Sequence, residues 1–103
     1  MLDHYVLFRP AEGSEAAVGE ALREFASVIT GLACVQDLTW GENTNASGLE
    51  RGFTHGCFVR LTDEEALRSA YWNHPAHQKL LGELERLHTD RFAVDYPSTV
   101  ERA

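Results

Sequence analysis

Residues 2–10 read "LDHYVLFRP". Leu2, His4, Val6 and Phe8 fall on one side of an alternating pattern and Tyr5 and Leu7 on the other, which specifies a strand, and Pro10 ends it. Both sides carry apolar side chains. A strand of this kind has to be covered twice, by helices on one face and by something else on the other.

The following segments supply the helical layer. In "AEGSEAAVGEALREFASVITG" (11–31), Val18, Ala21, Leu22, Phe25 and Ile29 form one helical stripe, with Ser14 placed as N-cap and Gly31 as the stop. "ACVQDLTWG" (33–41) reads as a second strand. "ENTNASGLERG" (42–52) is dense in Asn, Gly and Ser, and the sequon at Asn45 marks no more than a loop leading into a hairpin. The third strand, "FTHGCFVRL" (53–61), sets Phe53, His55, Cys57, Val59 and Leu61 against Thr54, Phe58 and Arg60.

Thr62 and Glu65 stand at the spacing of a capping box and start a short helix that runs to about Trp72. His74, before Pro75, is a boundary residue with a capping role, and Pro75 suits the first turn of the next helix. There His77, Leu80, Leu81, Leu84, Leu87 and His88 recur on one face, with His88 near the negative end of the helix dipole. A final strand, "RFAVDY", stops at Pro97.

The order strand, helix, strand, strand, two-part helix, strand is that of a ferredoxin-like α+β fold. It predicts a four-stranded antiparallel sheet with helices on one face. Val6, Phe8, Val59 and Val94 are assigned to one face, and Tyr5, Leu7, Leu38, Trp40 and Phe58 to the other. Helices cover only one of these, so the second predicts an interface, a homodimer in which two sheets meet.

The 103 residues make one domain, 1–103, and a content of 44% hydrophobic and 24% charged residues excludes a disordered chain. The net charge of −7, with no basic stripe, argues against nucleic acid or an anionic membrane as partner. No run approaches the roughly 20 apolar residues of a membrane span. "MLDHYVLF" lacks the basic lead-in of a signal peptide, so a cytoplasmic location is the default expectation. Cys34 and Cys57 have neither metal-site nor redox spacing and read as buried free thiols.

His4 and His55 share strand faces with apolar residues, His77 lies on the apolar face of the third helix, and Tyr71 closes the helix before it. If helices cover the face bearing His4 and His55, these four side chains line the space between sheet and helix. A lone histidine there is more often a hydrogen-bonded core residue. Three with a tyrosine cost stability unless they satisfy one another or a ligand, which points to a polar-lined pocket. The histidine pair at 74 and 77 lacks the adjacent glutamate of zinc peptidases, and no catalytic metal is expected. There is no phosphate loop, nucleophile motif or paired-carboxylate signature, so acid–base chemistry remains. A non-catalytic binder and a structural dimer stay open beside it.

"HYVLF", "GFTHGCFVRL", "YWNHPAHQ" and "VDY", in that order from about Leu2 to Tyr96, resemble the stress-responsive A/B barrel domain (Dabb) family. The resemblance implies a ferredoxin-like monomer that dimerises through its sheets into a dimeric α+β barrel. The family's best-understood member, the plant olivetolic acid cyclase, closes a linear polyketide by an intramolecular aldol reaction with no metal or organic cofactor. On that pattern Tyr71 and His77 are the implied catalytic pair, His4 and His55 the implied lining, and a small apolar carbonyl compound the implied ligand. In that chemistry a neutral His77 takes a proton from a carbon between two carbonyls, and the Tyr71 hydroxyl donates to the developing oxyanion.

Overall fold

In the computed structural model, which describes residues 1–101, the alternation of the first strand becomes two unlike faces. The elements run β1 (Leu2–Arg9), α1 (Glu15–Ile29), β2 (Val35–Glu42), β3 (His55–Leu61), α2 (Glu64–Ala66) leading into a π-helical turn (Leu67–Tyr71), α3 (Pro75–Arg86) and β4 (Asp90–Pro97). The four strands form one antiparallel sheet in the order β2-β3-β1-β4. This is the ferredoxin-like arrangement read from the sequence, with helices on one face.

Residues opposite each other in an antiparallel ladder share a face. Phe8 opposite His55, Val6 opposite Cys57 and Leu2 opposite Leu61 therefore make the covered face. The core lies there, where Val18, Leu22, Phe25 and Ile29 of α1 and Leu80 and Leu84 of α3 pack onto Phe8, Val59 and Leu61. Cys57 is buried among them, whereas Cys34 is only half-buried.

The register corrects three face assignments. Leu38 lies opposite Val59 and Trp40 opposite Cys57, so both belong to the helix side, where the Arg23 guanidinium sits 5.4 Å from the Trp40 ring. Val94 lies opposite Tyr5 and belongs to the open face. Alternation fixes which residues of one strand go together, and only pairing says to which face they go.

That open face exposes Leu7, Phe92, Val94 and Tyr96, with the Tyr5 ring 4.8 Å from Phe58 and 5.7 Å from Tyr96. Asp3 is buried on it and takes a bidentate pair from Arg60, at 2.7 Å from Nε and 3.1 Å from Nη2. These bonds hold the Asp3 carboxyl below its ordinary pKa. β4 is an edge strand, exposed along its whole length. No helix among the described residues is long and apolar enough to cross a membrane.

Helix ends follow local chemistry with two departures. Ser14 occupies the N-cap of α1 without a side-chain capping bond. Asp63, not Thr62, caps α2, its carboxylate accepting from the Ala66 amide at 2.8 Å, because an extended Asp63 aims an ionised acceptor at the first turn. At the end of α3, the Thr89 amide donates to the Leu84 carbonyl at 2.9 Å and the His88 amide to that of Glu85 at 3.0 Å. This closure requires a left-handed residue, and His88 supplies it at φ 51°. A side chain in that conformation costs about 1 kcal/mol or more relative to glycine. His88→Gly is therefore expected to raise the urea midpoint by an amount corresponding to about 1 kcal/mol, read by circular dichroism.

Candidate functional site

The site begins with a proline. Pro75 has no amide hydrogen, so the Tyr71 carbonyl loses its helical partner and accepts from the His74 amide at 3.2 Å instead. Just upstream the Trp72 amide reaches back five residues to the Leu67 carbonyl at 3.2 Å, an extra residue in the turn of the kind found at functional sites. Tyr71 ends this turn with its ring buried in the core, 2% exposed.

His74 is extended, as its place before Pro75 predicts, and its Nδ1 accepts from the Ala76 amide at 3.0 Å. That amide would serve the Trp72 carbonyl in a continuous helix. The freed carbonyl accepts instead from His77 Nδ1 at 3.0 Å and from the Gln78 side-chain amide at 2.6 Å. A carbonyl can only accept, so the hydrogen sits on Nδ1 and a neutral His77 carries its lone pair on Nε2.

His77 is buried beside Tyr71, with ring centroids 4.8 Å apart. Burial pushes its pKa below the ordinary 6.5, against the pull of the Trp72 carbonyl and with smaller help from His4, Arg91 and His74. Burial likewise raises the Tyr71 hydroxyl above its ordinary 10, with Cys57 and Asp95 adding to the effect. At neutral pH the pair is a free imidazole and an un-ionised phenol. Cys57, pushed up to about 12 by burial, stays a thiol and offers no nucleophile.

His4 meets the other side of Tyr71 edge-on, with ring centroids 5.7 Å apart. Its Nδ1 pairs with the Asp95 carboxylate, directly opposite on β4. Sequence reasoning missed Asp95. The signal was available in "VDY", but it required knowing that Asp95 faces His4. His4, Tyr71, His77 and Cys57 border a cavity of about 270 Å³. Its remaining walls are apolar residues of β1, α1 and α3, together with Trp72, Ala93 and Arg91.

His55 does not join them. It lies on the predicted face and is buried, but opposite Phe8, four residues along the sheet from the level of His4, or about 13 Å. There its Nδ1 bonds the Thr54 hydroxyl at 2.8 Å, and its ring packs beside Gly19 of α1. Of the four residues singled out, the structure thus gathers His4, Tyr71 and His77 and sets His55 apart. No group of three or more His, Cys, Asp or Glu among the described residues is placed to hold a metal ion.

A four-stranded antiparallel sheet with helices on one face places the chain among the small ferredoxin-like α+β proteins. The chain belongs to the stress responsive A/B barrel domain family, whose model matches residues 2–98. No curated protein matches it in sequence. Among solved structures, a dimeric ferredoxin-like protein from Jannaschia sp. CCS1 is 25% identical, with a TM-score of 0.81 over 94% of this chain and 98% of that one. A protein from Arabidopsis thaliana is 22% identical, with a TM-score of 0.80 over all of both chains. A Deinococcus radiodurans protein, named for antibiotic-biosynthesis monooxygenase activity, is 11% identical, with a TM-score of 0.81 over 100% and 97%. At such identities the last two report the fold and do not select a chemistry.

The tautomer of His77 can be read directly. Long-range nitrogen–proton correlation spectra at pH 7 are expected to show His77 protonated on Nδ1 and bare on Nε2. The opposite tautomer would leave the Trp72 carbonyl without its imidazole donor.

Proposed function

We propose that this protein is a cofactor-independent, polyketide cyclase-like enzyme that closes a small apolar carbonyl compound by aldol-type acid–base chemistry. The observation that carries the reading is the bond from His77 Nδ1 to the Trp72 carbonyl, because it commits Nε2 of a buried, neutral imidazole to accepting a proton.

The steps use groups already described. Nε2 takes a proton from a carbon between two carbonyls, and the electron pair moves onto a carbonyl oxygen. The Tyr71 hydroxyl donates to that developing oxyanion. The carbanion carbon then forms a bond to a second carbonyl of the same chain, and the resulting alkoxide recovers the proton from His77. His4, fixed by Asp95, borders the reacting end and holds Tyr71 edge-on. The cavity, about 270 Å³, suits a ligand below drug size. Its largely apolar walls also favour a second reading, a protein that holds such a compound without turning it over.

The active form in this proposal is a homodimer formed through the open sheet face. Four exposed large side chains on that face, Leu7, Phe92, Val94 and Tyr96, support it. So does the dimeric state of the Jannaschia relative.

In an assay of linear diketo acids and thioesters by mass spectrometry, His77→Ala is expected to lower kcat about a hundredfold or more, and Tyr71→Phe by about a hundredfold. Unchanged rates would leave only the binding reading. The base works when neutral, and its folded pKa is lowered. The acid limb of kcat/KM is therefore expected below pH 6.5, while the raised Tyr71 pKa places its alkaline limb above 10. For assembly, sedimentation at micromolar concentration is expected to give a dimer, and Phe92→Glu with Val94→Glu a monomer.

A further inference from the structure

The cavity holds one formally charged side chain on its walls, Arg91. Arg9, Arg23, Arg60, Arg68, Lys79 and Arg86 each have a carboxylate within ion-pair distance. Among the described Lys and Arg side chains, Arg51 and Arg91 alone form no ion pair, and Arg51 lies in the connection between β2 and β3. In a chain of net charge −7 carboxylates are abundant, and Arg91's own neighbour Asp90 is engaged by Arg9. An unpaired guanidinium at an otherwise uncharged cavity is thus the exception.

Its position along the sheet is also informative. Arg91 lies opposite Phe8, whereas Asp95 lies opposite His4, so four residues of β4, about 13 Å, separate the two levels. Ala93 and Val6, paired midway, and Leu80, Leu81 and Leu84 of α3 line the stretch between. His4 and Asp95 thus stand at one level of the sheet and a cation at the other, with hydrocarbon lining the stretch between.

We infer that the site takes a linear, mostly apolar carbonyl compound carrying a carboxylate at the end remote from His4, and that Arg91 is the residue that reads this carboxylate. The inference rests on the acid–base reading for which end reacts, and on Arg91 and the cavity for the anion. A carboxylate is costly to place against apolar walls unless paired. The planar guanidinium offers two parallel donors that fit its oxygens. A neutral compound of the same length leaves those donors to water.

Calorimetric titration of the full chain with octanoate and with octanamide separates charge from apolar length. Octanoate is expected to bind about tenfold or more tightly than octanamide. Arg91→Gln, at an exposed strand position, is expected to abolish that preference while keeping octanamide affinity, and Arg91→Lys to restore part of it. Equal affinities in the unmodified protein, no saturable octanoate binding, or a preference that survives Arg91→Gln would each overturn the assignment. The acid–base reading fails by a different measurement. His77→Ala is expected to keep the preference for octanoate, so loss of turnover reports on His77 and loss of charge preference on Arg91.

Discussion

A carbonyl without a helical partner organises this protein's cavity. Pro75 supplies no amide to Tyr71, and His74, the extended residue that must precede a proline, takes the Ala76 amide as a cap. The Trp72 carbonyl is then left to side chains, and His77 is the one that orients an imidazole by it. A continuous helix through residues 64–86 would satisfy Trp72 from within and leave His77 free to choose its tautomer. Breaking the helix therefore sets the tautomer of His77 as well as the topology.

The sheet imposes the second constraint. β1 sits between β3 and β4, and its covered face carries both the core and His4, so the site grows out of the same layer that stabilises the fold. At β1 the change from core to cavity is a matter of neighbours. Toward β3, His4 has Val59, and toward the edge strand it has Asp95. An edge strand can carry Asp95 and Arg91 on its inner face because no helix packs fully over it.

This explains what the sequence could and could not disclose. Period-two and helical spacing were enough for the element order, the α+β class and the apolar face of α3 that carries His77, because each depends on neighbours within one segment. Placement along a strand depends on register between segments. His55 has the predicted face but stands on the β3 side of Phe8, away from the cavity that opens toward β4, and Leu38, Trp40 and Val94 exchange faces because pairing decides them. Asp95 escaped notice because its partner is 91 residues away. The cap at Asp63 was a local matter, where two adjacent polar residues competed and the backbone of Asp63 decided.

One physical cause moves both pKa values. Removing water penalises whichever form of a group is charged, so the same apolar surroundings lower the proton affinity of His77, whose protonated form is a cation, and raise that of Tyr71, whose deprotonated form is an anion. The two rings, 4.8 Å apart, thus have their pKa values driven in opposite directions, leaving a base that is empty and an acid that is full across the neutral range. Phe25 contacts both rings, at centroid distances of 6.1 Å from each, and Leu80 and Leu84 complete the dry wall. These core residues touch no proton, yet a polar replacement among them would admit water and draw the two pKa values back together. The apolar core on this side of the sheet is thus also what keeps the imidazole neutral and the phenol un-ionised.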